Sequence, residues 1–153
     1  MEKIFGLPAH PLLVHLPVVL VPVVAICAVM LALRKDWRRR FGRTLVAASA
    51  VSCVAVFMAK QSGEALFELM QQAPDIRRHE QLSDTTMILT LLLFASIVGM
   101  VVMDRRNGNR KTSRLSMGLS FLSIGFAVLA LVGTIATGHE GAKITWEQVS
   151  KGG

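Results

Sequence analysis

Four long apolar runs, Leu12 to Leu33, Thr44 to Met58, Met87 to Met103 and Leu115 to Thr137, dominate the chain and leave little sequence for anything else. A hydrocarbon core of about 30 Å takes roughly 20 apolar residues as a helix. Three runs approach or exceed that length; the second reaches it by continuing through Lys60 to about Gly63. The sequence therefore predicts transmembrane helices at about 12–33, 44–63, 84–103 and 115–137. A barrel is excluded, because it needs about eight or more strands of alternating polarity and these runs do not alternate. The expected fold is all-α: a four-helix transmembrane bundle of two helical hairpins, one membrane domain over residues 1–153. The first run is too long for a cleaved leader and has no small-residue cleavage site before the basic residues that follow, so it is expected to remain as a helix.

Basic residues set the orientation. Arg34, Lys35, Arg38, Arg39, Arg40 and Arg43 lie between the first two runs, and Arg105, Arg106, Arg110, Lys111 and Arg114 between the last two. These two loops hold eleven of the seventeen Lys and Arg, against only Asp36 and Asp104. The positive-inside bias puts both in the cytoplasm and both termini outside, as expected for a multi-pass protein of the bacterial inner membrane. The net charge of +7 is thereby accounted for as a topology signal, and no nucleic-acid partner is expected.

Depth can be counted from the cytoplasmic edges at about 1.5 Å per residue. About twenty residues from each edge lie Val14, Gly63, Asp84 and Thr134. His10, His79 and His139 then lie about four or five residues beyond the outer boundary, and His15 at it. Glu64, Glu80, Asp84 and Glu140 share the layer. The outer mouth is expected to collect imidazoles and carboxylates, the groups that ligate transition metals or exchange protons. By contrast, the cytoplasmic half of the spans holds no ionisable residue, which argues against a conducting path. Cys27 and Cys53 fall inside the spans at heights about a helical turn apart, so no disulfide is expected between them.

Two segments carry further detail. On the fourth span, Ser116, Ser120, Ser123, Ala127, Ala130, Thr134 and Thr137 recur at alternating steps of four and three, a small-residue seam suited to close helix approach. Met117, Phe121, Ile124, Val128, Leu131 and Ile135 form a bulky stripe beside it, expected to face lipid or fill gaps rather than bind a cofactor. On an uninterrupted helix His139 lies well off the small seam, by roughly 140°; a break at Gly138 would change that. In His10-Pro11-Leu12-Leu13-Val14-His15-Leu16-Pro17, Pro11 suits the first helical position and puts His10 at the cap. Pro17 and Pro22 remove backbone bonds within the span. Each half begins with a histidine and ends in a small and acidic signature, Ser62-Gly63-Glu64-Ala65 and Gly138-His139-Glu140-Gly141, a pattern that either an internal duplication or two independent hairpins would give. Residues 65–70 are expected to carry the second helix outward as a lip ended by Pro74, and Trp37 and Trp146 to anchor opposite interfaces.

The His-Pro-Leu-Leu-Val-His-Leu-Pro opening, His79-Glu80-Gln81-Leu82 at the third helix and the closing Gly138-His139-Glu140-Gly141 resemble a bacterial four-span membrane family of unknown function. The resemblance covers most of the chain. Relatives commonly close with Gly-His-x-Gly-Gly, and Ala142 stands here in place of the second glycine. Some relatives are joined to periplasmic redox domains, so the resemblance implies electron transfer.

Three functions are compatible with these residues. In the first, two of His10, His15, His79 and His139 are axial ligands to a b-type haem, with Lys60, Arg77 or Arg78 pairing its propionates. In the second, His15, His79 and His139 bind a copper, zinc or iron ion directly with Glu64, Glu80 or Glu140. In the third there is no cofactor, and the polar ring stabilises the bundle mouth or docks a periplasmic redox partner or membrane subunit. Depth and register favour His15 and His139 as ligands, then His79, then His10. His79-Glu80 and His139-Glu140 are not followed by the second histidine of a His-Glu-x-x-His motif, and no Gly-x-Ser-x-Gly elbow or phosphate-binding glycine loop occurs. An electron-transfer or accessory subunit is thus expected rather than a stand-alone enzyme.

Overall fold

The computed structural model describes residues 3–4, 7–70, 76–107 and 113–151. A two-residue antiparallel ladder, β1 (Lys3–Ile4) with β2 (Leu7–Pro8), pairs Lys3 with Pro8 and Ile4 with Leu7. Four helices follow: α1 (Ala9–Leu33), α2 (Lys35–Met70), α3 (Ile76–Asn107) and α4 (Arg114–Lys151). Each is long and apolar enough to cross a membrane. In hydrocarbon, only a helix or a closed barrel satisfies every backbone polar group, which is why these runs become helices. The helices close a ring in chain order, with α1 on α2, α2 on α3, α3 on α4 and α4 on α1, and α1 and α3 lie on the diagonal.

The outer surface identifies the solvent. On α1, Leu16, Val19, Val23, Ile26, Met30 and Leu33 recur at steps of three and four, and all are exposed. Pro17, Val21, Val24, Ala28 and Leu31 form the buried face. Only 22% to 39% of the four spans is buried within the bundle. A monomer in water rarely exposes contiguous apolar patches beyond a few hundred Å², so this surface requires lipid.

α3 and α4 meet along the small seam expected for the fourth span. Ser116, Ser123, Ala127, Ala130 and Thr134 are buried, whereas Met117, Phe121, Val128 and Ile135 face out. Ser123 donates to Ser96 at 3.1 Å near mid-span, and the Thr86 and Thr137 hydroxyls meet at 3.0 Å towards the end that carries His79 and His139. A Cβ on Gly133 would stand 2.8 Å from Thr86 Oγ1, so glycine sets this approach. Most other hydroxyls within the spans donate to a carbonyl of their own helix, as Ser49 does to Val46 and Thr90 to Thr86.

One expectation changes. Residues 34–43 are not a loop: Arg34 alone separates α1 from α2, and the backbone bonds Arg34 N–H to Met30 and Arg38 N–H to Arg34 bridge the corner. Arg and Lys are good helix formers, and nothing in the stretch breaks a helix. α4 runs unbroken through Gly138 to Lys151, so the uninterrupted register applies, and α2 continues to Met70 as expected for the lip; Pro74 lies outside the described residues. As expected for one span, α1 stays helical through both Pro17 and Pro22. Cys27 and Cys53 are both free thiols. Trp37 and Trp146 are exposed, Trp37 with the Arg34 guanidinium 5.4 Å from its ring centroid.

Candidate functional site at the outer mouth

His79 sits in the first turn of α3 and turns towards α4. A Cβ on Gly141 would lie 3.1 Å from His79 Cε1, so the missing side chain is what lets the ring lie against α4. The Thr137 backbone hydrogen-bonds the ring and the Glu140 carboxylate acts on it electrostatically, although Nδ1 meets no partner at full hydrogen-bond geometry among the described residues.

The other histidines are placed differently. His15 and His139, favoured by depth and register, are both exposed at the bundle surface, and among the histidines whose side chains are described His79 is the least exposed. The reason is rotational. His15 falls on the face of α1 next to outward-facing Leu16, and on the unbroken α4 His139 stands off the buried seam. The backbone of His10 lies in the first turn of α1; its side chain is outside the described residues.

The carboxylates are engaged with cations. Lys60 bonds Glu64 one turn along α2 and reaches Asp84 Oδ1 of α3 at 3.1 Å. Arg78 Nε lies 3.4 Å from Glu140 Oε1, tying α3 to α4 beside His79. Glu80 and Arg77 are exposed. Among the described residues, no three His, Cys, Asp or Glu side chains gather in a group that would hold a metal ion. Among the described residues, His15, His79 and His139 and the neighbouring acids therefore do not gather at one point.

A polar cluster at the opposite end was not expected. Arg38 is only 4% exposed and Asp104 3%. Arg38 Nη2 lies 3.5 Å from Asp104 Oδ1, its Nη1 donates to Ser120 Oγ at 2.7 Å, and Arg39 Nε stands 3.8 Å from Asp104 Oδ2. The cluster thus joins α2, α3 and α4. The sequence did hold a signal: Asp104 is an acid kept at the end of an apolar span immediately before Arg105 and Arg106.

The fold and the two polar ends define a multi-pass membrane bundle with ionisable groups confined to its ends. The chain belongs to the family described as Predicted membrane protein (DUF2231), which it matches over residues 6–151. No curated protein and no solved structure matches it.

Proposed function

We propose that the protein is an electron-transfer subunit of the bacterial inner membrane, with a b-type haem at its extracytoplasmic mouth and His79 as the central ligand. The observation that carries this reading is the His79 imidazole, held half-buried between α3 and α4 in the space that Gly141 leaves free. Imidazole is the common axial donor to b-type haem, and exposed Arg77 offers a propionate partner that Lys60, held by two acids, does not. His15 and His139, with His10, are the candidates for the second ligand. Bound haem would supply one-electron chemistry, and the chain's part would be to hold the iron through His79 and one of His15, His139 and His10.

Direct binding of copper, zinc or iron by His15, His79, His139 and Glu64, Glu80 or Glu140 is less well supported. Glu64 and Glu140 already face Lys60 and Arg78. Those same ion pairs favour the remaining alternative, a cofactor-free accessory subunit whose outer ring ties the helices together. An ultraviolet-visible spectrum of protein purified in mild detergent, with metal analysis of the same sample, separates the three. A Soret band that sharpens and shifts on dithionite is expected. A stoichiometric metal without that band selects the metal reading, and neither selects the accessory one.

The topology proposed with this function has both termini outside and residues 34 to 43 and 104 to 114 cytoplasmic, from the charge asymmetry. Ser150→Cys places a thiol on the exposed end of α4. A membrane-impermeant maleimide is expected to label it in intact cells. Protection at this position, alongside normal labelling of a known periplasmic cysteine, would invert the bundle and move the histidine layer to the cytoplasm.

A further inference from the structure

Between α2 and α3, at the basic end, the surface opens into a groove of about 250 Å³ lined by Arg43, Val46, Val98, Val101, Val102 and Arg105. Both arginines are exposed and neither has an ion-pair partner among the described residues, unlike Arg38 and Arg39 a turn earlier on α2. The arrangement is graded along the membrane normal. Arg43 and Arg105 stand at the mouth; Val46 lies three residues deeper on α2, and Val102 and Val98 lie three and seven residues deeper on α3. At about 1.5 Å per residue the valine wall descends roughly 10 Å into the apolar layer. The helices come together tightly behind it: a Cβ on Gly42 would stand 3.0 Å from Val101 Cγ2.

We propose that this groove is a binding site for an anionic phospholipid, with the phosphate between Arg43 and Arg105 and the start of an acyl chain along the four valines. Arginine presents planar, paired donors matched to phosphate oxygens, and basic recesses between transmembrane helices recognise anionic headgroups. The combination selects this occupant. A free phosphate would use the arginines but leave the valines bare; a zwitterionic lipid would cover the valines but return part of the charge. A partner protein's acidic segment would need its backbone satisfied against a purely apolar wall. The site does not depend on the haem reading, since it lies at the other end of the bundle.

Native mass spectrometry of the detergent-purified full chain, titrated with phosphatidylglycerol or with phosphatidylcholine of the same acyl chains, tests this. Each surface arginine adds about 1 kcal/mol towards an anionic lipid, so the first phosphatidylglycerol should bind at least about tenfold more tightly than the first phosphatidylcholine. Combined Arg43→Gln and Arg105→Gln should erase the difference, and combined Arg43→Lys and Arg105→Lys should keep part of it. Val98→Trp, which fills the groove, should weaken the first phosphatidylglycerol without removing either charge. Arg114→Gln, a basic-end change outside the groove, should leave the preference intact. Equal binding of the two lipids by the unaltered chain would overturn the proposal. So would an Arg114→Gln loss as large as that of the double glutamine variant, which would indicate a diffuse basic surface. Inorganic phosphate displacing the lipid at comparable concentration would overturn the acyl-chain part and leave a phosphate site.

Discussion

Asp104→Ala is expected to destabilise the bundle by about 3–5 kcal/mol, while Arg39→Ala changes it by no more than about 1 kcal/mol. Both side chains belong to one cluster, but their surroundings differ. Arg38 and Asp104 are 4% and 3% exposed, and Arg39 is 38% exposed. Removing Asp104 leaves the Arg38 charge enclosed by three helices, with the Ser120 hydroxyl as its one side-chain acceptor among the described residues. Removing Arg39 deletes a long, solvated contact at 3.8 Å. The combined change Arg38→Met and Asp104→Leu removes both charges together and is expected to recover most of what Asp104→Ala loses, because the desolvation cost disappears with the ions. Thermal denaturation in detergent, read by loss of the monodisperse peak on gel filtration, gives the order. If Arg39→Ala were as damaging as Asp104→Ala, the cluster would be acting through its exposed rim and the buried pair would count for little.

That cluster also marks the limit of what the sequence discloses. Four helices and their spans are legible because length and apolarity are properties of each run alone. The α4 seam from Ser116 to Thr137 is legible for a similar reason: a repeat of three and four is a face whatever it packs against. Arg38 is different. Counted with its neighbours it reads as one more solvated charge of a cytoplasmic loop, yet α2 starts at Lys35, so Arg38 already belongs to a helix and points inward. Its partner Asp104 is 66 positions away on another hairpin, and nothing local specifies that meeting. The helices outrun the predicted spans because the hydrophobic pattern reports where lipid begins and ends, whereas α4 continues to Lys151 on backbone bonds that do not require lipid.

The outer mouth shows the same division between height and rotation. Counting residues placed His15, His79 and His139 near one level. It did not fix which way each ring points, and each residue of error turns a side chain by about 100°. His79 faces α4 because Gly141 yields space to it, while His15 and His139 face outward. Sequence ranking by depth favoured His15 and His139; enclosure by neighbouring helices favours His79. Glu64 and Glu140 were legible as members of the layer, but their cation partners were not: Lys60 is a turn away in sequence, and Arg78 lies on a different helix.

His79→Ala is expected to abolish haem retention and, in the same experiment, to leave the cofactor-free protein about as stable as before. The two halves have one physical origin. A histidine that serves the fold is bonded, and removing it costs stability. His79 is only half-buried, and its Nδ1 meets no partner at full hydrogen-bond geometry among the described residues, so its removal costs the fold little. Gly141→Ala provides the companion test. It adds helix propensity of up to about 1 kcal/mol, but its Cβ would press to 3.1 Å from Cε1 and push the ring away from α4. Haem retention should fall, or its Soret maximum shift, without loss of the folded peak. Among the remaining histidines, His15→Ala or His139→Ala should also release the haem, according to which supplies the second ligand, and His10→Ala should spare at least part of it. The readout is haem per protein in matched preparations, with thermal midpoints of the cofactor-free forms. Full retention in His79→Ala would remove the proposed ligand. A wild-type preparation free of haem, with a lowered midpoint for His79→Ala, would make the imidazole a packing element and the bundle an accessory subunit held together at its outer end by Lys60 and Arg78.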